Sequence, residues 1–178
     1  MKYLLFLGST RASAPPRPTR LGERLARAMM PILNADGRAT ELIDPLEIDL
    51  PHPFKPHFPY AKDKAPDALG ALAEQTSAAD GYVMLSPEYN HSLSPSLAHL
   101  LNHFGASRFG FKPSVIASYS GGQWGGARAA VTMRGFLSEL GCLPVSAMIH
   151  VPKVAEVLDD GGAYLEGVDA EKWRGYFN

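Results

Sequence analysis

Five short apolar runs, separated by helix-like segments, limit more than any other feature how this sequence can fold. The first run, Tyr3–Leu7, contains no charged residue, and the last lies within Leu143–Val151. Continuous apolar runs of this length are typical of strands buried on both faces of a parallel sheet. Strands that alternate with amphipathic helices define the α/β class. The other three predicted strands are Thr40–Ile43, Tyr82–Leu85 and Val115–Ala117.

The segments between the runs carry helix signals. Apolar spacing and start residues predict helices from near Leu21, Pro66, Ser94-Pro95 and Ala127, and a last helical fragment or tail at Trp173–Phe177. Pro31 should kink or shorten the first helix, and Gly141 should end the fourth in a left-handed cap. The pattern predicts one domain over residues 1–178, a three-layer flavodoxin-like sandwich with a five-stranded parallel sheet of order 2-1-3-4-5.

Composition excludes several classes of function. The 178 residues carry a net charge of −1, so no global basic field exists to recruit nucleic acid or an acidic membrane. The single cysteine, Cys142, excludes an intramolecular disulfide and suits a reducing compartment. The first apolar run is too short for a secretory core or a membrane span, so we expect a cytoplasmic protein.

Three unusual loops follow the first, third and fourth predicted strands. They are Gly8–Thr19, Ser86–Leu93 and Ser118–Gly126. In an open parallel sheet, ligands bind outside the carboxyl ends of the strands, near the point where the strand order reverses. That point lies between strands one and three, so the three loops should converge on one site.

The first loop has the composition of an anion site. It offers hydroxyls and guanidinium groups, and the amino end of a helix follows it; the groups are Ser9, Thr10, Ser13, Thr19, Arg11, Arg17 and Arg20. It matches neither the dinucleotide fingerprint nor a P-loop. A solvated surface loop with scattered arginines is the alternative.

The other two loops favour a flat ligand. Tyr89 presents a planar face, and Asn90 tolerates unusual backbone angles. Four glycines within Gly121–Gly126 let the backbone approach a ligand closely. Arg128, at a helix start where a cation is unfavourable, could face an anionic cofactor. An ordinary turn and a flexible loop with a solvated arginine are the alternatives.

Taken together, these motifs resemble the NADPH-dependent FMN reductase family, a flavodoxin-like group that includes bacterial azoreductases, chromate reductases and quinone reductases. The segments that carry the resemblance are LGSTR at 7–11, RLGERLA at 20–26, SPEYNHSLSPSLAHLLNHF at 86–104 and YSGGQWGGARAA at 119–130. The Pro-Glu-Tyr-Asn segment is the most specific of these markers.

The resemblance implies a role for each matching position. Residues for the FMN phosphate would be Ser9, Arg11, Thr19, Arg20, Leu21 and Gly22. Residues along the isoalloxazine ring would be Pro87, Glu88, Tyr89 and Asn90 on one side, and Tyr119, Ser120, Gly121 and Gly122 on the other. Residues near the entering NADPH would be Gly125, Gly126 and Arg128, and Arg128 favours NADPH over NADH.

Two features qualify this transfer of roles. Extra residues at Ala14–Pro18 leave open which of Arg17, Thr19 and Arg20 reaches the phosphate. The family resemblance also implies a homodimer or homotetramer. The long irregular stretch Asp44–Lys64, with five prolines and two histidines, is therefore expected to be a functional or interface loop that could complete a neighbour's site.

The implied activity is transfer of electrons from NADPH, through bound FMN, to a small acceptor such as a quinone, an azo compound, chromate or a flavin, with ping-pong kinetics. The chemistry belongs to the cofactor, so we assign no catalytic acid, base or nucleophile. A flavodoxin-type electron carrier is the main alternative, although such carriers tend to be strongly acidic. The sequence contains no Gly-x-Ser-x-Gly elbow, which argues against a hydrolase. His99 and His103 lie four residues apart, but the sequence shows no obvious third ligand, which argues against a metal site.

Overall fold

The sheet has the predicted strand order. The computed structural model of the chain describes residues 1–11, 18–61 and 64–178. Its five strands are β1 (Lys2–Leu7), β2 (Ala39–Ile43), β3 (Gly81–Pro87), β4 (Pro113–Tyr119) and β5 (Leu143–Val151). They pair in parallel in the order β2-β1-β3-β4-β5, which confirms the flavodoxin-like arrangement.

The apolar runs become the central strands because both of their faces are covered. Leu4, Leu5, Phe6 and Leu7 of β1 are fully buried. Alternate residues of β1 point into two separate apolar clusters, one on each side of the sheet. The sheet is therefore the middle layer of three.

Seven helices cover the two faces in the described part of the chain. They are α1 (Leu21–Leu33), α2 (Asp67–Ala78), α3 (Pro95–Asn102), α4 (Ala106–Phe109), α5 (Ala127–Glu139), α6 (Val154–Val157) and α7 (Ala170–Phe177). The four main helices begin where the sequence predicts, with Pro66 just before α2 and not within it. The short helices α4 and α6 were not expected from the sequence.

The helix ends correct one expectation and confirm two. Of the two effects expected of Pro31, a kink or a shortening, the shortening does not occur, because α1 continues through Pro31 to Leu33; a proline removes only the hydrogen bond of its own missing N–H. Ser94 caps α3, and its Oγ accepts a hydrogen bond from the Leu97 N–H at 3.1 Å. Gly141, with φ of +83°, lies in the left-handed region just after α5.

Two further observations bear on the cysteine and on membranes. Cys142 is 4% exposed within the core, and burial raises the pKa of its thiol to about 11, so the group stays protonated and unreactive at neutral pH. Among the residues that the structure describes, no helix has the length and apolarity needed to cross a membrane.

The stretch after β2 packs against α3. Its described residues, 44–61, form neither helix nor strand. The His57 N–H donates to the His103 carbonyl at 2.7 Å, and His103 Nδ1 lies 3.1 Å from the Lys55 carbonyl. Phe54 and Phe58 remain 47% and 72% exposed on its outer side.

Candidate functional site

A cleft of about 180 Å³ lies at the carboxyl edge of the sheet, where the loops after β1, β3 and β4 meet. Ten of the described residues line it, and all ten were predicted site residues: Ser9, Arg11, Arg20, Leu21, Pro87, Glu88, Tyr89, Tyr119, Ser120 and Gly121. The convergence of the three loops is therefore a feature of the structure as well as of the sequence. An apolar groove at the opposite edge, near Tyr3 and Tyr82, receives none of the described residues of these loops.

Seven other predicted positions do not line the cleft: Thr19, Gly22, Asn90, Gly122, Gly125, Gly126 and Arg128. Ser13 and Arg17, named as possible anion ligands, lie outside the described residues. The assignment of these positions to FMN or NADPH stays a prediction, and the structure gives several of them a local role of their own.

Arg20 lines the cleft but is held by protein partners. Its Nη1 lies 3.1 Å from Asp44 Oδ1, its Nη2 pairs with Asp44 Oδ2, and its Nε lies 3.2 Å from Glu23 Oε2. Burial opposes the charged form, but the hydrogen bonds and charges of Asp44 and Glu23 prevail and raise the pKa of Arg20. Arg20 thus joins the start of α1 to the loop after β2. Arg11, which is exposed, is the other described arginine that lines the cleft.

Tyr119 and Gly22 fit together at the floor of the cleft. Tyr119, the last residue of β4, is 3% exposed. Burial raises the pKa of its hydroxyl well above the usual value, and a hydrogen bond with Ser9 opposes this only partly, so the hydroxyl stays protonated. A Cβ atom at position 22 would overlap that hydroxyl and would lie 2.9 Å from Leu7 Cδ1. Gly22 is therefore required by packing.

The loop after β3 is a short, closed turn. The Tyr89 N–H and the Ser92 N–H each donate to the other residue's carbonyl, at 3.0 and 2.9 Å. The two residues between them, Asn90 and His91, have φ of +49° and +63°, a left-handed pair that defines a tight two-residue turn. At its base, the Ser94 N–H donates to Ser86 Oγ at 2.9 Å. These backbone and side-chain hydrogen bonds define the shape of the loop.

The glycine-rich loop after β4 divides into an exposed half and a buried half. Gly121 and Gly122 are exposed, and no described heavy atom lies closer than 3.5 Å to a Cβ built on Gly121. Gly125 and Gly126 are buried with φ of +60° and +76°, and a Cβ on Gly126 would lie 2.9 Å from Ser118 Cβ. The first half leaves room for a ligand, whereas the second packs against the sheet.

Side-chain hydroxyls hold this glycine-rich loop in place. Ser120 Oγ donates to the Gly122 carbonyl at 2.7 Å and accepts from the Gly125 N–H at 3.0 Å. Ser118 Oγ donates to the Gly125 carbonyl at 2.8 Å and also lies 2.8 Å from His150 Nδ1. Burial of His150 lowers the pKa of its imidazole, which favours the neutral ring beside Ser118.

Arg128 has a protein partner that the sequence did not reveal. Its Nη2 lies 2.6 Å from Glu88 Oε1, and its guanidinium carbon lies 5.9 Å from the centre of the Trp124 ring. This ion pair explains how a cation is accommodated at the start of α5, where the helix dipole disfavours it.

Sequence reasoning missed several residues that shape the site. Asp44 holds Arg20, Ser86 and Ser94 close the loop after β3, and Ser118 supports the glycine-rich loop. Asp44, Ser86 and Ser118 had a usable signal, because each directly follows a predicted strand and so stands at the edge where the three loops meet.

His99 of α3 and His103, which follows the last residue of that helix, belong to a packing cluster. His103 is fully buried, with the Phe54 ring 4.7 Å away and the His99 ring 5.0 Å away, centre to centre. Burial lowers the pKa of His103. In the described ranges, no group of three or more His, Cys, Asp or Glu side chains is arranged to hold a metal ion.

The sheet order and the cleft at its switch point define the chain as a flavodoxin-like α/β protein with a cleft at the carboxyl edge, where proteins of this architecture bind ligands. Residues 1–156 match the family model of the NADPH-dependent FMN reductases, and the chain belongs to that family.

Individual relatives agree with this membership. An NADPH azoreductase of Bacillus sp. (strain OY1-2) is 33% identical over 72 residues, which are 40% of this chain and 40% of the azoreductase. A quinone reductase of Escherichia coli (strain K12) is 32% identical over 108 residues, 54% of this chain and 57% of that protein. The chain thus spans about half the length of the curated relatives it matches.

Solved structures show the same fold at low sequence identity. The flavoenzyme NAD(P)H:(acceptor) oxidoreductase FerB from Paracoccus denitrificans superposes with a TM-score of 0.70 at 19% identity, covering 99% of this chain and 92% of that one. A flavodoxin variant from Pseudomonas aeruginosa superposes with a TM-score of 0.54 at 18% identity, covering 99% and 96%. The flavodoxin-like fold is therefore confirmed by independent structures.

Proposed function

We propose that this chain binds FMN non-covalently in the carboxyl-edge cleft, oxidises NADPH and passes the electrons to a small acceptor. One observation carries the proposal: three loops from distant parts of the chain meet in one cleft at the switch point of the sheet. The family to which the chain belongs supports the choice of cofactor and of reductant.

The phosphate end of the cleft lies at the start of α1. No described side chain caps this 13-residue helix, so its first N–H groups remain available to an anion. Ser9 and Arg11 stand on the same wall. Because Asp44 and Glu23 already neutralise Arg20, we assign the charge that meets the phosphate to Arg11 and the helix end, and we give Arg20 the role of holding the loop.

The ring end of the cleft lies between the loop after β3 and the glycine-rich loop. Pro87 and Tyr89 form one wall, and Tyr119, Ser120 and Gly121 form the other. Tyr89 is 42% exposed, so part of its ring stays open to a planar ligand. The exposed backbone of Gly121 and Gly122 can approach the edge of a flat heterocycle, which fits a flavin ring.

When bound, FMN supplies the hydride and electron chemistry, and the protein supplies binding, orientation and electrostatics. The described side chains that line the cleft offer hydroxyl, guanidinium and aromatic groups but no imidazole. The Glu88 carboxylate, the one acid among them, is paired with Arg128. We therefore assign no side chain to proton transfer. Fixed backbone N–H groups can stabilise negative charge that develops on a reduced ligand.

The acceptor is proposed by chemical class. Two relatives are named for azo compounds and for quinones, both planar, electron-poor molecules. A single open ligand face that serves first NADPH and then the acceptor implies ping-pong kinetics. Initial rates at several fixed quinone concentrations should give parallel double-reciprocal lines, and intersecting lines would contradict the sequential use of one face.

The decisive experiment is optical. The purified protein, loaded with FMN and freed of excess, should show a flavin spectrum that bleaches on anaerobic addition of NADPH and returns with a quinone. A protein that binds FMN but stays yellow with NADPH would be an electron carrier of the flavodoxin type. Absence of FMN binding would overturn the proposal as a whole.

We further propose that the protein works as a homodimer or homotetramer. Support comes from the exposed apolar side chains of the stretch after β2, Leu46 (54%), Phe54 (47%) and Phe58 (72%), which lie on one loop. Light scattering coupled to size exclusion should give at least twice the chain mass of 19.2 kDa. Phe58→Ser should shift the protein toward the monomer, whereas Phe111→Ser, at a residue that is 89% exposed elsewhere, should not.

A further inference from the structure

We propose that Arg128 is a positioning residue that neutralises Glu88 at the wall of the cleft, so that the pair sets how tightly reduced flavin binds relative to oxidised flavin. The inference rests on the proposed function and deepens it. It assigns to Arg128 a role other than contact with the nicotinamide cofactor.

The geometry of the pair is that of a buried anion with one cationic partner. Arg128 Nη2 lies 2.6 Å from Glu88 Oε1. The Glu88 side chain is 10% exposed, whereas that of Arg128 is 47% exposed. The second oxygen, Glu88 Oε2, is buried and has no hydrogen-bond partner among the described residues. Within the described structure, the negative charge of Glu88 therefore depends on Arg128.

The pair also ties together two walls of the cleft. Glu88 directly follows the last residue of β3 and lines the cleft. Arg128 is the second residue of α5, just beyond the glycine-rich loop, and its guanidinium is placed near the Trp124 ring. An ion pair in this position fixes the distance between the loop after β3 and the loop after β4, which together form the ring end of the cleft.

Loss of Arg128 and loss of the Glu88 charge should have opposite electrostatic effects on a ligand in the cleft. Without Arg128, a poorly solvated carboxylate stays beside the ligand and repels negative charge on it. Without the Glu88 charge, a half-exposed guanidinium stays and attracts that charge. Two-electron reduction adds negative charge to a flavin at neutral pH. The ratio of the dissociation constants for reduced and oxidised FMN should therefore rise when that charge is repelled and fall when it is attracted.

The test uses Arg128→Gln, Glu88→Gln and the double variant. Fluorescence titration with FMN under air, and anaerobically with reduced FMN, gives the two dissociation constants. We expect Arg128→Gln to raise the reduced-to-oxidised ratio roughly tenfold, which equals a midpoint potential about 30 mV lower for a two-electron couple. Glu88→Gln should lower the ratio, and the double variant should return it close to the wild-type value.

Matched controls separate this effect from general loss of charge or of folding. Arg108 and Glu74 form a pair at 3.0 Å on α4 and α2, and neither residue lines the cleft. Arg108→Gln and Glu74→Gln should leave the ratio unchanged. Arg128→Lys keeps the cation and should retain the wild-type ratio even if it lowers the melting temperature.

The possible outcomes are distinct. Opposite shifts in the single variants and compensation in the double variant support the proposal. Shifts in the same direction, or effects that add in the double variant, overturn it and leave the pair a structural contact. Failure of the wild-type protein to bind FMN overturns the proposed function instead.

Discussion

Replacement of Asp44 by asparagine is expected to lower the free energy of unfolding by about 3 kcal/mol or more. Asp44 and Arg20 have side chains that are only 6% and 5% exposed, and they meet through two nitrogen–oxygen contacts. Asparagine keeps the shape but removes the charge, so a buried guanidinium would keep Glu23 as its one described carboxylate partner. Urea denaturation should show a lower midpoint with an unchanged slope.

Asp36→Asn provides the matched control for this prediction. Asp36 also pairs with an arginine, Arg38, at 3.4 Å, but its side chain is 87% exposed. Exposed pairs of this kind contribute little, so the change should stay within about 0.5 kcal/mol. If the two substitutions lower the free energy of unfolding equally, burial is not the reason that the Arg20–Asp44 pair stabilises the protein.

Gly22→Ala is expected to destabilise the protein by about 1–3 kcal/mol and to weaken FMN binding. Alanine normally favours a helix over glycine by about 1 kcal/mol, so the sign of the effect is diagnostic. The new methyl group would overlap the Tyr119 hydroxyl and press on Leu7, and both side chains are buried. The displaced Tyr119 ring would narrow the cleft, and thermal unfolding and FMN titration would measure the two effects.

Two companion variants make this prediction specific. Gly135→Ala, within α5, has no described heavy atom near the new Cβ outside its own helix and should stabilise by about 0.5–1 kcal/mol. Tyr119→Phe removes the nearest overlapping atom and should restore part of the loss in the Gly22→Ala background. A destabilisation that Tyr119→Phe does not relieve would mean that the overlap lies elsewhere.

The sequence predicted the sheet and the cleft because both depend on local patterns and on one rule of topology. Apolar runs located every strand, although β3 extends through Pro87, beyond its apolar core. The parallel order then brought the loops after β1, β3 and β4 to one edge, and their residues line the cleft that forms there.

The ion pairs could not be predicted in the same way. Arg20 looked like a phosphate ligand because its charge was visible, whereas its partner Asp44 is 24 residues away and adjoins it only after β1 and β2 pair. Arg128 likewise faces Glu88, 40 positions earlier in the chain, through the side-by-side packing of β3 and β4. Which charged residues form ion pairs depends on the distances between their side chains in the folded protein. The spacing of these residues along the sequence does not give those distances.

The place of β1 in the sheet has a consequence for synthesis on the ribosome. β1 lies between β2 and β3, and its pairing with β3 joins residues 78 positions apart along the chain, such as Tyr3 and Gly81. Until β3 emerges, β1, four of whose residues are fully buried in the folded protein, has one open edge. Such long-range parallel pairing folds slowly, so the nascent chain should need protection from aggregation until β3 has been translated.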